Sequence, residues 1–146
     1  MNYPELTVGA VILNKADQIL LCKSHKWNDK YVIPGGHVEL GESLEAALQR
    51  EIKEETALDI YNIKLLSIKE SIFSESFASK KHFIFMDYIC RTDSTEVILN
   101  EEAESYCWAE LSEINNYDLG GFTAQLFDEL ADKDNSDYKT EILYGY

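Results

Sequence analysis

The chain has 146 residues, 45% of them hydrophobic and including nine Tyr, six Phe and two Trp, which suits one globular domain with an ample core and excludes a disordered chain. Acidic residues outnumber basic ones 27 to 13, and the formal charge of -14 repels a long nucleic acid while leaving small phosphorylated ligands open through a divalent cation. Cys22, Cys90 and Cys107 are odd in number and widely spaced within apolar stretches, which argues against a disulfide scaffold or a zinc knuckle.

Met1 to Glu5 lacks the basic region and apolar run of a signal peptide, and no stretch approaches the roughly 18 apolar residues of a membrane span. The cytoplasm is the expected compartment, with no membrane partner. Leu6 to Leu13 is dense in Val, Ile and Leu and reads as a buried strand. Asn14 to Gln18 is a polar turn, and Ile19 to Cys22 returns from it as the second arm of a hairpin. Lys23 to Lys30 is polar apart from Trp27 and reads as a surface loop. Tyr31 to Ile33 is a short strand stopped by Pro34, Gly35 and Gly36, whose tandem glycines allow close backbone approach to a ligand.

Ser43 is a suitable N-cap for the clearest helix, which runs to Thr56 through strong helix formers. Lys64 to Phe73 and His82 to Cys90 read as strands joined by a loop from Ser74 to Lys81, with a turn over Arg91 to Thr95 and a short strand at Val97 to Leu99. The acidic stretch Glu101 to Glu104 leads into a strand at Tyr106 to Trp108, and Leu111 to Ile114 suggests a helical turn. Phe122, Leu126, Phe127 and Leu130 share one face of a last helix. From about residue 133 the chain is polar, and a loosely ordered tail is expected. Strands interspersed with helices predict an α/β domain, a mixed sheet flanked by helices, spanning residues 1–146.

The first helix places its acids oddly. At about 100° per residue, Glu51, Glu54 and Glu55 fall within an arc of roughly 100°, beside the stripe of Leu44, Leu48 and Leu58. Glu45, Gln49 and Lys53 form the ordinary solvated face. Carboxylates next to an apolar stripe are costly and repel one another, and a divalent cation with a taste for oxygen ligands relieves both problems. A charged amphipathic helix with merely solvated glutamates has the same spacing, and the helix by itself leaves both readings open.

The preceding segment narrows the choice. Gly36-His37-Val38-Glu39-Leu40-Gly41-Glu42, followed after seven intervening residues by Arg50-Glu51-Ile52-Lys53-Glu54-Glu55, resembles the Nudix signature over the 23 residues from Gly36 to Leu58. Gly36, Glu42, Arg50, Glu51, Ile52, Glu54, Glu55 and Leu58 stand on its defining positions, and Ala57 stands where the pattern has glycine. The resemblance implies the Nudix α/β/α sandwich with a central mixed sheet. It implies Mg2+-dependent hydrolysis of a nucleoside diphosphate linked to another group, with Mn2+ as a possible substitute and a homodimer common.

On the same resemblance, Glu51, Glu54 and Glu55 are the metal ligands, and the Gly36 carbonyl adds an oxygen. Glu54 and Glu55 are counted among the catalytic groups. Arg50 orients the glutamates, and Glu42 assists the metal or fixes the loop to the helix. An extra ligand or base is expected from a loop before a late strand, where Glu102 is the choice within Glu101 to Glu104. Lys23 is a candidate phosphate contact, and Trp27, Tyr31 and Phe73 are candidate stacking partners for a base. The chain has no proline about fifteen residues after the box, a mark of many ADP-ribose-cleaving members. Nor does it have a tyrosine sixteen to eighteen residues after it, a mark of diadenosine polyphosphate hydrolases. The expectation is hydrolysis of a nucleoside triphosphate to a monophosphate and pyrophosphate. Nucleotide-sugar or ADP-ribose cleavage is the alternative, and a non-catalytic nucleotide-sensing module is the rival class. Removal of an mRNA cap is disfavoured by the acidity.

Overall fold

The computed structural model describes residues 3–74 and 80–132; the tail expected from about residue 133 and part of the Ser74 to Lys81 loop lie outside them. A seven-stranded mixed sheet forms the centre. Its main path runs β3 (Lys30–Val32), β2 (Ile19–Ser24), β1 (Glu5–Leu13), β6 (His82–Arg91), β5 (Tyr61–Ile72). Off this path β4 (Gly35–His37) pairs with β1 and β7 (Ser105–Ala109) pairs with β2, both antiparallel. Among the strands of the described residues only β1 and β6 pair in parallel, in unbroken register from Glu5 opposite Phe83 to Leu13 opposite Arg91.

Strand alternation sorts the core into two layers. Val8, Ala10 and Ile12 of β1 pack with Leu20, Met86 and Tyr88 under Ala47, Leu48 and Ile52 of α1 (Leu44–Thr56). Val11 instead joins Leu21, Leu66, Leu126 and Phe127 under α2 (Gly121–Asp132). With a helix over each face, β1 is buried on both sides, which is why it reads as a continuous apolar run. Phe122, Leu126, Phe127 and Leu130 all turn inward from α2, as the periodicity predicts.

Three expected elements differ. The stretch Lys23 to Lys30 is shorter as a loop than predicted, because β2 runs on to Ser24, His25–Trp27 forms a 3-10 turn and β3 opens at Lys30. Gly35–His37 is a strand rather than a free glycine loop, held by pairing with Thr7, Val8 and Gly9. Val97 to Leu99 is not a strand: the Ile98 N–H donates to the Thr56 carbonyl (3.0 Å) and the Asn100 N–H to the Glu55 carbonyl (3.4 Å). These residues cap the orphan carbonyls at the end of α1, so their donors have no strand to pair with.

The end of α1 also explains the departure at Ala57. Ala57 has φ 63° and ψ 13°, the left-handed conformation of a helix C-cap, with its N–H on the Lys53 carbonyl. Lys53 returns to the Ala57 carbonyl and Asp59, and Thr56 Oγ1 receives the Leu58 N–H, so the strained geometry is fixed from several sides. A Cβ in that region costs roughly 1–2 kcal/mol, partly offset by the lower chain entropy of alanine when unfolded. Ala57→Gly is therefore expected to stabilise the fold by roughly 0.5–1 kcal/mol. Thermal denaturation followed by far-UV circular dichroism checks this; a lower Tm contradicts it.

Candidate active site

Helix α1 starts at Ser43, whose hydroxyl accepts the Ala46 N–H, and its last two turns carry the acids. Glu55 is buried at 9% exposure, on the sheet-facing side with Ile52 and Thr56. Its Oε2 accepts the Gly35 N–H at 2.9 Å. Glu51, one turn earlier, lies against Gly36 so closely that a Cβ there would sit 2.3 Å from its carboxyl carbon. Gly35 is equally bare: an added Cβ would meet the Val8 carbonyl oxygen at 2.0 Å. The two glycines thus let the β4 backbone come up against two carboxylates.

A third carboxylate arrives from far along the chain. The Glu104 N–H donates to the Lys23 carbonyl (2.9 Å), Ser24 Oγ donates to the Glu102 carbonyl (2.9 Å), and the Glu102 N–H donates to Asn100 Oδ1 (3.0 Å). Pinned in this way to the end of β2, Glu102 brings its side chain to Glu51 and Glu55, and one oxygen from each lies within 4.8 Å of the others. Burial, then the Glu102 carboxyl and the Glu51 charge, push Glu55 up to about 10 against the opposing Gly35 N–H. Glu51 is also raised, mainly by burial and despite Arg50. Three acids that cannot all ionise comfortably together form a donor set suited to a hard divalent cation.

Arg50 ties the assembly to the loop before the helix. Its Nε donates to Glu42 Oε2 (2.7 Å) and its Nη2 to Glu42 Oε1 (3.0 Å), a two-pronged pair. Nη2 also reaches the His37 carbonyl (3.0 Å), while Nη1 donates to Glu51 Oε1 (3.0 Å) and Glu54 Oε2 (3.3 Å). Arg50, helped by the Glu39 N–H, holds the Glu42 carboxyl down to about 2. Glu54 is half exposed beside Arg50 and stands outside the Glu51, Glu55 and Glu102 trio. His25, Asp29 and Glu104 form a separate, exposed group that links the 3-10 turn to the acidic loop.

Two hollows with shared wall residues lie on this side, and Glu55 and Glu102 line one of them. The smaller is lined by Glu55, Glu102, Gly35, Lys26 and Trp27. The larger, about 250 Å³, lies between the sheet and the start of α2 and shares Gly35, Lys26 and Trp27 with the first. Phe85, Phe122 and Trp27 wall it: Phe85 and Phe122 have centroids 5.0 Å apart, and Trp27 meets Phe122 edge-on at 6.3 Å.

Of the residues singled out as substrate contacts, Trp27 lines this cleft and three do not. Tyr31 packs edge-on against Tyr117 at 5.6 Å, and Lys23 lies over the Tyr31 ring, 6.0 Å from its centroid. Phe73, at the exposed end of β5, lies under Lys80. Lys26, Phe85 and Asp87 escaped the sequence reading. The signal for the last two was alternation, since Phe83, Phe85 and Asp87 share one face of β6 and an aspartate interrupts that face.

A glycine-lined trio of glutamates that could hold a metal ion, set on an α/β/α sandwich, marks a hydrolase of phosphoanhydride bonds. The family model for the NUDIX domain matches residues 4–130, and the chain belongs to that family. It is 33% identical over 125 residues to the nucleoside triphosphatase NudI of Escherichia coli O139:H28 (strain E24377A / ETEC), covering 77% of this chain and 87% of that protein. The K12 strain's NudI is 32% identical over 123 residues, with the same coverage. Similar folds include the NUDIX hydrolase from Nitrosomonas europaea (TM-score 0.78, 21% identity, 99% of this chain and 98% of that one). The NUDIX domain of Shewanella oneidensis NrtR complexed with ADP ribose is another (TM-score 0.75, 21% identity, 90% and 89% covered). Among the described residues no helix is long and apolar enough to cross a membrane.

The contact at Gly36 gives a direct test. Gly36→Ala places a methyl group where the Glu51 carboxylate lies. Hydrolysis is expected to fall by on the order of tenfold or more, because a displaced Glu51 carboxylate loses its orientation, while circular dichroism stays native. Full activity in the alanine variant contradicts the close packing of Glu51 on β4.

Proposed function

We propose that the chain hydrolyses nucleoside triphosphates to a nucleoside monophosphate and pyrophosphate, using Mg2+, with Mn2+ as a substitute. The carrying observation is that the hollow lined by Glu55 and Glu102 shares Gly35, Lys26 and Trp27 with an aromatic-walled cavity, so phosphates and a base have neighbouring places. Support for the triphosphate comes from the NudI relatives, named as nucleoside triphosphatases.

On this reading Glu51, Glu55 and Glu102 hold the cation, and Glu54 and the Gly36 carbonyl are the neighbouring oxygen donors. When bound, the cation neutralises phosphoryl oxygens and lowers the pKa of the attacking water. Gly35, through its N–H, keeps the Glu55 carboxylate turned into the cleft. Arg50 holds Glu51 and Glu54 in orientation and locks the Glu42 loop against the helix. Glu102, exposed at the mouth, takes the proton from the water as it attacks. Lys26, which lines both hollows, takes the phosphate role first assigned to Lys23. Trp27 stacks on the base.

The test is a kinetic panel of nucleoside triphosphates, nucleotide sugars and ADP-ribose in Mg2+, with products separated by ion exchange. Monophosphate and pyrophosphate in equal amounts from a triphosphate are expected. Preference for ADP-ribose or a nucleotide sugar contradicts the substrate assignment, and turnover undiminished by EDTA contradicts the metal role. Lys26→Met is expected to raise KM on the order of tenfold and to affect kcat less, as for a group that binds ground and transition states alike. An unchanged KM removes Lys26 from the phosphate site.

A further inference from the structure

Asp87 is a charged residue in an apolar place. It lies near the middle of β6, is 8% exposed, and faces the aromatic cavity beside Phe85, Phe122 and Thr123. Among the described residues its carboxylate accepts no hydrogen bond. A carboxylate with little access to water and no protein donor is expensive, and in a cleft it points to a ligand that supplies donors.

Its position relative to the glutamates follows from the sheet. Gly9 of β1 is paired with Asp87 on one side and with Gly35 of β4 on the other. At roughly 4.8 Å per strand step, the Asp87 and Gly35 backbones stand about 10 Å apart, and Gly35 is the residue bonded to Glu55. Gly9 keeps the space between them open, since a Cβ there would come within 2.9 Å of Asp87 Oδ1. The row therefore has a carboxylate at its cavity end and the catalytic glutamates at its other end.

We propose that Asp87 is the base-reading residue of this cleft and that it selects guanine nucleotides. This inference rests on the proposed nucleotide reading of the same site. An ionised carboxylate only accepts hydrogen bonds. Guanine offers it two adjacent donors, the ring N1–H and the exocyclic N2 amino group, which match a carboxylate in two-pronged fashion. Adenine and cytosine place a lone pair beside their amino group, and uracil flanks its single N–H with two carbonyl oxygens. Each of those edges sets an acceptor against Asp87.

The surrounding charges keep the acceptor form. Burial pushes Asp87 up to about 6, with Lys69 opposing that rise and Glu129 adding to it. The ionised form still predominates at neutral pH. Lys69 approaches from β5, and Glu129 of α2 lies 3.6 Å from its Nζ. Glu5, Lys26, His37 and Lys81 line the same cavity. The aromatic walls stack on any base, so they add affinity without choosing among the four.

The test measures equilibrium binding, which needs no turnover, so failure of hydrolysis and failure of base reading are seen separately. GMP, AMP, CMP and UMP are titrated into the protein in Mg2+ at pH 7.5 by calorimetry. GMP is expected to bind roughly tenfold or more tightly than the other three, and IMP, which lacks the 2-amino group, roughly tenfold more weakly than GMP. Asp87→Asn, with one donor and one acceptor, is expected to bring GMP to within about threefold of the rest. If the wild type binds all five alike or binds none, or if the asparagine variant keeps the guanine preference, the proposal is overturned. Should that variant not fold, the GMP and IMP comparison on the wild-type protein decides it alone.

Discussion

The burial of one carboxylate, Glu55, organises the site. At the end of α1 it is taken out of water and met by the Gly35 N–H. That single hydrogen bond requires β4 to lie flush with the helix, which in turn requires residues without side chains at positions 35 and 36. It also leaves Glu55 short of positive charge, since the nearest groups beyond Gly35 are two more carboxylates. A buried acid among acids is unfavourable by itself and favourable beside a divalent cation, so the packing that costs stability is also the packing suited to a metal ligand set.

Arg50 supplies the counterweight at the outer edge. It satisfies Glu42 with two hydrogen bonds and reaches the His37 carbonyl, Glu51 and Glu54 with its remaining donors. The loop from His37 to Glu42 is thereby closed onto the helix. Glu55 lies beyond this network, so the arginine does not quench the acid that most needs a cation. The other end of α1 is fixed by the chain at Ile98 and Asn100, which then continues to Glu102. One segment thus both ends α1 and delivers the third carboxylate.

Features with a local cause were legible in the sequence. Helical spacing put Glu51, Glu54 and Glu55 on one side, and the run of β-branched residues in β1 reflects its burial on both faces. Features set by distant backbone partners were not. Val97 to Leu99 has the composition of a strand, yet the N–H of its central residue, Ile98, is used by a helix end. Lys23 and Lys26 are alike in a polar stretch, but Lys23 lies on β2 over Tyr31 while the 3-10 turn that carries Lys26 brings it to the cleft. The left-handed geometry of Ala57 is hidden because alanine does not announce it as glycine would. Glu54 and Glu55 are adjacent and chemically identical, but only the second turns inward, because the sheet lies on that side.

On the proposed reading the Glu55-centred trio is a divalent-cation site. Electron paramagnetic resonance of free Mn2+, titrated against the wild-type protein and Glu55→Gln without nucleotide, measures it most directly. The account predicts saturable loss of the free Mn2+ signal with the wild type and affinity weakened by on the order of tenfold or more in the variant, which has lost a charged oxygen ligand. Equal Mn2+ binding by the two proteins, both folded, would place the metal elsewhere and contradict the account.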